Sequence, residues 1–207
     1  YSLYRNMPYT PAGLAPVSNA INTPNVLVVH PSVPAKTVPE FVAWLKAQNG
    51  KASYASSGTG QSPHLSAAWF LQLTGTKAEH IPYRGAGPAL QDLIAGQVDM
   101  MFDGMGSSAT HIKGGRIRAI AVASERRAPG FADLPTAPET GLPGYKVATW
   151  YGMWAPKGTP ADVQARIIEE IRKGSSGDEV KTAWARNGAE FPNVTGAQFG
   201  AFVNSEI

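Results

Sequence analysis

The sequence has 207 residues, 43% hydrophobic and 16% charged, with a formal charge of +3 and no cysteine. That length and balance suit one large domain or two small ones with a real core, and the lack of cysteine excludes disulfides, thiolate nucleophiles and cysteine-held metals. Positive charges are scattered, apart from pairs such as Arg126 and Arg127. That is unlike the basic patch of a nucleic-acid binder, and no apolar run approaches the roughly 18 residues of a membrane span.

Residues 1–24 are rich in Pro, Asn and Ser without a hydrophobic period, which predicts connecting structure. Asn25 to His30, apolar and β-branched and closed by Pro31, predicts a buried strand. Thr37 and Pro39 then start a helix that ends near Asn49 and Gly50. Lys51 to Ser56 is the next strand, followed by a glycine-rich turn and by Ser62 and Pro63 as cap and first-turn proline of a helix. His80 to Tyr83, Val98 to Asp103 and Arg116 to Ser124 are further strands. Between them stand a helix opened at Pro88 and a short helix after a turn at Gly104 to Ser108. Strands alternating with helices of about ten residues predict a parallel sheet with right-handed crossovers. Beyond Glu125 comes a proline-rich loop, then an aromatic strand from Tyr145 to Ala155. A helix from Pro160 to about Lys173 follows, broken at Gly174 to Gly177, with two more across Val180 to Asn187 and from Gly196.

In an open α/β sheet ligands bind beyond the carboxyl ends of parallel strands, so three loops qualify: Ser56 to Ser62, Arg84 to Gly87, and Asp103 to Ser108. The first combines glycines, hydroxyls and a proline-started helix whose free N–H groups and dipole favour an anion. It is equally readable as a tight capped turn. Arg84 is placed to reach an anion or to lie on the surface, and Asp103 to cap a helix or to meet a polar ligand group. Enzyme motifs are poorly represented. Gly60 to His64 fails the G-x-S-x-G elbow, nucleotide glycine motifs do not occur, and the four histidines lack metal spacing. A constellation of Ser57, His64 and Asp103 from separate loops keeps a hydrolase open.

The segments SLYRNMPY, PNVLVVHPSVPAKTVPEFV, SYASSGTGQSPHLSA, HIPYRGAGPALQDLIAGQVDMMFD, HIKGGRIRAIAVAS, LPTAPETGLPGYKVATWYGMWAPKGTP and NGAEF occur in this order and spacing. The chain resembles, over nearly its whole length, the tripartite tricarboxylate transporter receptors, the Bug or TctC-like family. The resemblance implies a type II periplasmic binding protein: two α/β lobes with parallel-rich sheets and a two-strand hinge, closing over a solute without catalysis or cofactor. Residues 32–124 would be the second lobe, and residues 1–31 and 125–207 the remainder of a first lobe whose opening strand and glycine-rich anion loop lie outside this sequence.

By position, Ser56, Ser57, Gly58, Thr59 and Gly60 resemble the second-lobe carboxylate grip. Tyr83, Arg84, Gly85 and Asp103 would contribute to the pocket, with Trp150 on the returning hinge strand. Thr59 stands where the family commonly has Asn, and Gln61 where it often has Ser or Thr, so backbone contacts would persist while side-chain contacts differ. The implied partners are a small carboxylate (a dicarboxylate, tricarboxylate, acidic amino acid or aromatic acid) and membrane transporter subunits, with no nucleic acid. The implied location is periplasmic, although the sequence itself carries no signal peptide.

Overall fold

The computed structural model describes residues 8–206, so most of the SLYRNMPY segment lies outside the described residues. The chain forms two compact units. The larger comprises Thr23–Thr149 with Ala185–Ala189; the smaller comprises residues up to Asn22, Trp150–Trp184 and residues from Glu190. These divisions differ from the expected limits at 32 and 124, because residues 23–31 and 125–149 pack with the sheet of the larger unit. Val26 to Val29 are central to its core, and Tyr145 packs against Phe70 and Phe102.

Strand β1 (Leu14–Val29) is far longer than the predicted run, beginning inside the segment expected to be irregular. Helix α1 (Val38–Gln48) has Thr37 as N-cap, whose hydroxyl accepts from the Glu40 N–H, and it stops at Asn49 in the left-handed region. Then come β2 (Ser53–Ser56), α2 (Ser62–Thr74), β3 (Glu79–Pro82), α3 (Ala86–Ile94), β4 (Met100–Gly104), α4 (Met105–Lys113) and β5 (Arg118–Val122). Where a turn was expected after Asp103, α4 follows β4 directly, and α3 begins before Pro88. The sheet order is β3-β2-β4-β1-β5.

Strands β2, β3 and β4 are parallel as predicted, but β1 runs antiparallel to both its neighbours, β4 and β5. A buried strand reads as a continuous apolar run whichever way it points, so its direction is not encoded in the pattern. Its alternation is nonetheless clear. Leu27 and Val29 join Phe41, Phe70, Met100, Phe102 and Tyr145 on one face, while Val26 and Val28 join Leu90, Leu93, Met101 and Met105 on the other. The β1–β5 register shifts between Leu27 and Val28, where Ile120 is skipped. The extra residue lets Ile120 and Ala121 both enter the first cluster while Ala119 and Val122 serve the second, the local re-aiming a bulge provides.

In the smaller unit, β6 (Ala148–Pro156) pairs with β1. Helices α5 (Ala161–Ser176), α6 (Asp178–Arg186) and α7 (Gly196–Ser205) follow, α6 ending in the larger unit's segment. Helix α5 runs through Gly174 to Ser176, so the expected break falls only at Gly177. The chain passes from one unit to the other within β1 and within β6.

Candidate functional site

The loop between β2 and α2 is organised from beneath by histidines. Ser56 is fully buried, and its Oγ lies 2.7 Å from His80 Nε2 while accepting the Gly58 N–H at 3.2 Å. The Gly60 N–H donates to His64 Nδ1 at 3.1 Å. The two imidazoles stack at 4.1 Å, and Tyr54 stacks on His80 at 4.8 Å. Burial, and next the charge of His64, hold His80 below the ordinary histidine range, which favours the neutral ring that hydrogen-bonds Ser56.

Above this stack Gly58 (φ 145°) and Gly60 (φ 82°) adopt backbone conformations that side chains disfavour. A methyl group on Gly58 would also meet Gln61 Cγ at 3.4 Å and the Tyr83 carbonyl at 3.7 Å. Helix α2 then begins with Gln61 as its N-cap rather than the expected Ser62, and without a side-chain cap. Pro63 has no N–H and the Leu65 N–H donates to the Gln61 carbonyl at 3.1 Å, so the N–H groups left for a ligand or water at the positive end of the helix dipole are those of Ser62 and His64.

The β3–α3 loop is tied to this loop by parallel rungs. The Tyr83 N–H donates to the Ser56 carbonyl at 2.9 Å and the Gly85 N–H to the Ser57 carbonyl at 3.0 Å. Ser57, Gly58, Thr59, Gly60, Arg84 and Gly85 are therefore brought together at one end of the sheet. Arg84 is exposed there. Tyr83 turns its hydroxyl to Asp92 Oδ2 at 2.7 Å, and burial, then that carboxylate, push its pKa up to about 12, so the phenol braces α3. Asp103 is 2% exposed, and its Oδ2 accepts both the Ser107 and Ser108 hydroxyls at 2.6 Å. Burial raises its carboxyl above the usual range despite those bonds, and its visible work is fastening the start of α4.

Trp150 belongs to the smaller unit, where its indole N–H donates to Glu206 at 3.2 Å and its ring packs edge-on against Phe199 and Phe202. Ser57, His64 and Asp103 do not assemble as a triad, since His64 Nδ1 and the Asp103 carboxylate are engaged elsewhere. Sequence reading missed the histidine stack and a partly buried hydrogen-bond chain through Asn25, Ser66 and Thr149. The one local signal for either is polar residues within apolar runs, Asn25 before VLVV and Ser66 within HLSAAWF.

Comparison with known proteins places this geometry. The family model of the tripartite tricarboxylate transporter family receptors matches residues 2–207. Protein BugT of Bordetella pertussis is 32% identical over 207 residues, covering 100% of this chain and 64% of its own length. A UPF0065 protein from the tcbD-tcbE intergenic region of Pseudomonas sp. is 39% identical over 182 residues, 87% of this chain and 54% of the relative. The chain thus spans about half to two thirds of the length of these curated relatives. The R. palustris Rpa4515 structure with adipate superposes with a TM-score of 0.94 at 31% identity, covering 99% of this chain and 69% of that one. The Rhodopseudomonas palustris MatC structure with bound malate gives 0.90 at 29% identity, covering 99% and 71%. With its mixed α/β sheet and a family match over nearly every residue, this chain belongs to the tripartite tricarboxylate transporter receptor family.

Proposed function

We propose that the larger unit grips a small carboxylate at Ser57 to Gly60 and the start of α2, as part of a periplasmic receptor that delivers the solute to a tripartite-type transporter. The observation that carries this reading is the uncapped start of α2 behind Gly58 and Gly60, supported on the stacked His64 and His80 rings. Such an array of N–H groups satisfies a carboxylate without a cationic side chain. Solved relatives bound to adipate and to malate support a dicarboxylate class. In this reading the Ser62 and His64 N–H groups and the Ser57 and Thr59 hydroxyls face the acid, while Gly58 and Gly60 shape the loop around it. Arg84 and Gly85 form the rim, Ser56 and Tyr83 shape the loop from below and behind, and Asp103 acts through α4. Trp150 serves the returning strand. No helix among the described residues is long and apolar enough to cross a membrane.

A hydrolase reading has one feature to use, the Ser56–His80 pair. Ser56 is 0% exposed and its Oγ already accepts the Gly58 N–H, a poor placement for a nucleophile. The deciding experiment is thermal unfolding with adipate and malate. A true ligand at a hundredfold excess over its Kd stabilises by about 2.7 kcal/mol, and a combined Ser57→Ala and Thr59→Ala variant shows a smaller shift. Turnover of an ester or phosphate panel, or no shift with any small carboxylate, would sink the receptor reading.

A further inference from the structure

Asn25 and Ser66 are both 0% exposed, two polar side chains within the core of the larger unit. The Thr149 hydroxyl donates to Asn25 Oδ1 at 2.7 Å, Asn25 Nδ2 donates to Ser66 Oγ at 2.8 Å, and the Ser66 hydroxyl donates to the Ser62 carbonyl at 2.6 Å. Every donor points the same way, so each bond polarises the next. The buried Tyr145 hydroxyl adds a bond to the Ser66 carbonyl at 2.8 Å. The chain of bonds begins on β6 and β1, beside the residues at which those strands leave the unit, and ends on the first residue of α2. Thr23, two residues before Asn25, likewise accepts the Gly106 N–H in the first turn of α4. Polar side chains of one strand thus pin the starts of two helices.

Apolar residues of the same shape would fill this core without the desolvation that buried amides and hydroxyls incur. What the polar chain adds is direction, because a Ser hydroxyl bonded to the carbonyl four residues back sets the local bend of a helix. We propose that Thr149, Asn25 and Ser66 are positioning residues that aim the first turn of α2, with its Ser62 and His64 N–H groups, at an anionic ligand; Gly58 and Gly60, bonded to Gln61 and His64 of that helix start, report its position. The proposal rests on the carboxylate reading of the 57–60 loop for its ligand, and adds to it the residues that hold the grip without touching the acid.

The test pairs ligand-free amide NMR with calorimetric titration of adipate and malate. Ser66→Ala and Thr149→Val should each move the Gly58 and Gly60 amide resonances. Each should also weaken binding about fivefold to tenfold, the size expected for one lost net hydrogen bond. The double variant should be little worse than either single one, since both cut the same chain. Thr149→Ser restores the hydroxyl and should behave as wild type. Thr74→Ala removes the same kind of back-bond, to Phe70, at the far end of α2, and should change neither readout. Unmoved loop amides in both Ser66→Ala and Thr149→Val overturn the relay, as does unchanged affinity in protein that binds either acid. If wild-type protein binds neither acid, the dicarboxylate class is overturned, and the ligand-free amides alone decide the relay.

Discussion

The two units bury their hydrophobic residues very differently. Both core clusters lie in the larger unit, layered on either side of the sheet with Phe41, Phe70, Phe102 and Tyr145 on one face. In the smaller unit Val17, Ala155 and Phe199 are buried but join neither cluster, and Tyr151, Met153, Trp154 and Val163 are exposed on β6 and α5; the larger unit's exposed counterparts, Leu65, Trp69 and Leu73, all lie on α2. The Phe199 ring lies so close over Gly152 that a methyl there would sit 2.3 Å from it, a tight local contact without a surrounding core. Stability should follow that division, because burial of apolar area is the dominant favourable term. The larger unit has the means to hold a loop in a strained, glycine-dependent shape, whereas the smaller unit relies on a few aromatic contacts.

The largest effects should come from breaking the core of the larger unit. Phe70 touches Phe41, Phe102 and Tyr145, so Phe70→Ala should lower its unfolding free energy by about 3–5 kcal/mol. Phe199→Ala should instead melt the smaller unit early and leave the larger unit's transition within about 0.5 kcal/mol of wild type. Trp44 and Trp69 report one unit, and Trp150 and Trp154 the other, so fluorescence-monitored urea unfolding of single-Trp variants separates the transitions. One shared transition shifted equally by both substitutions would erase the contrast.

A smaller effect, visible as a pH dependence, should attach to Asp103. Burial raises its carboxyl in the folded chain, so the folded state holds the proton to a higher pH than the unfolded state does. Stability from this group is therefore present in acid and lost as pH rises from the ordinary carboxylate range through the folded value. Asp103→Asn cannot ionise, and its carbonyl is able to accept the Ser107 and Ser108 hydroxyls. Relative to that variant, wild type should be most stable at the acid end and lose ground as pH rises, measured as urea midpoints from pH 4 to 7. A difference independent of pH would show that the carboxyl titrates alike in both states.

Much of the larger unit was legible because its local signals agree. Thr37 with Pro39, and Asn49 after α1, mark helix ends where the structure has them, and the β2–β3–β4 run of strands and crossovers is parallel as its alternation implies. The β1 strand was half legible. Asn25 to Val29 carry the apolar signal, but Leu14 to Pro24 became strand by pairing with β6, which no local pattern announces. The site divides similarly. Glycine and hydroxyl chemistry marked Ser56 to Ser62 as a loop open either to an anion or to a plain capped turn, and the structure puts a loop between Ser56 and Ser62. That Ser56 faces His80, and that Tyr83 turns to Asp92, follow from residues 24 and 9 positions apart meeting in the fold, information that exists only once the strands are paired.

The smallest effects offer the sharpest contrast, because they use one residue type in both units. Tyr145 is 1% exposed and donates to the Ser66 carbonyl, whereas Tyr151 is 57% exposed. Tyr145→Phe keeps the ring among Trp69, Phe70 and Phe102 but leaves a buried carbonyl short of one partner, which should cost about 1–1.5 kcal/mol. Tyr151→Phe removes only a solvated hydroxyl and should stay within about 0.5 kcal/mol of wild type. Both changes delete a single oxygen, so their difference isolates what burial in the larger unit makes of it. Equal urea midpoints for the two variants would mean that the Tyr145 bond is replaced by water at no cost, and that the core around Ser66 is looser than its geometry implies.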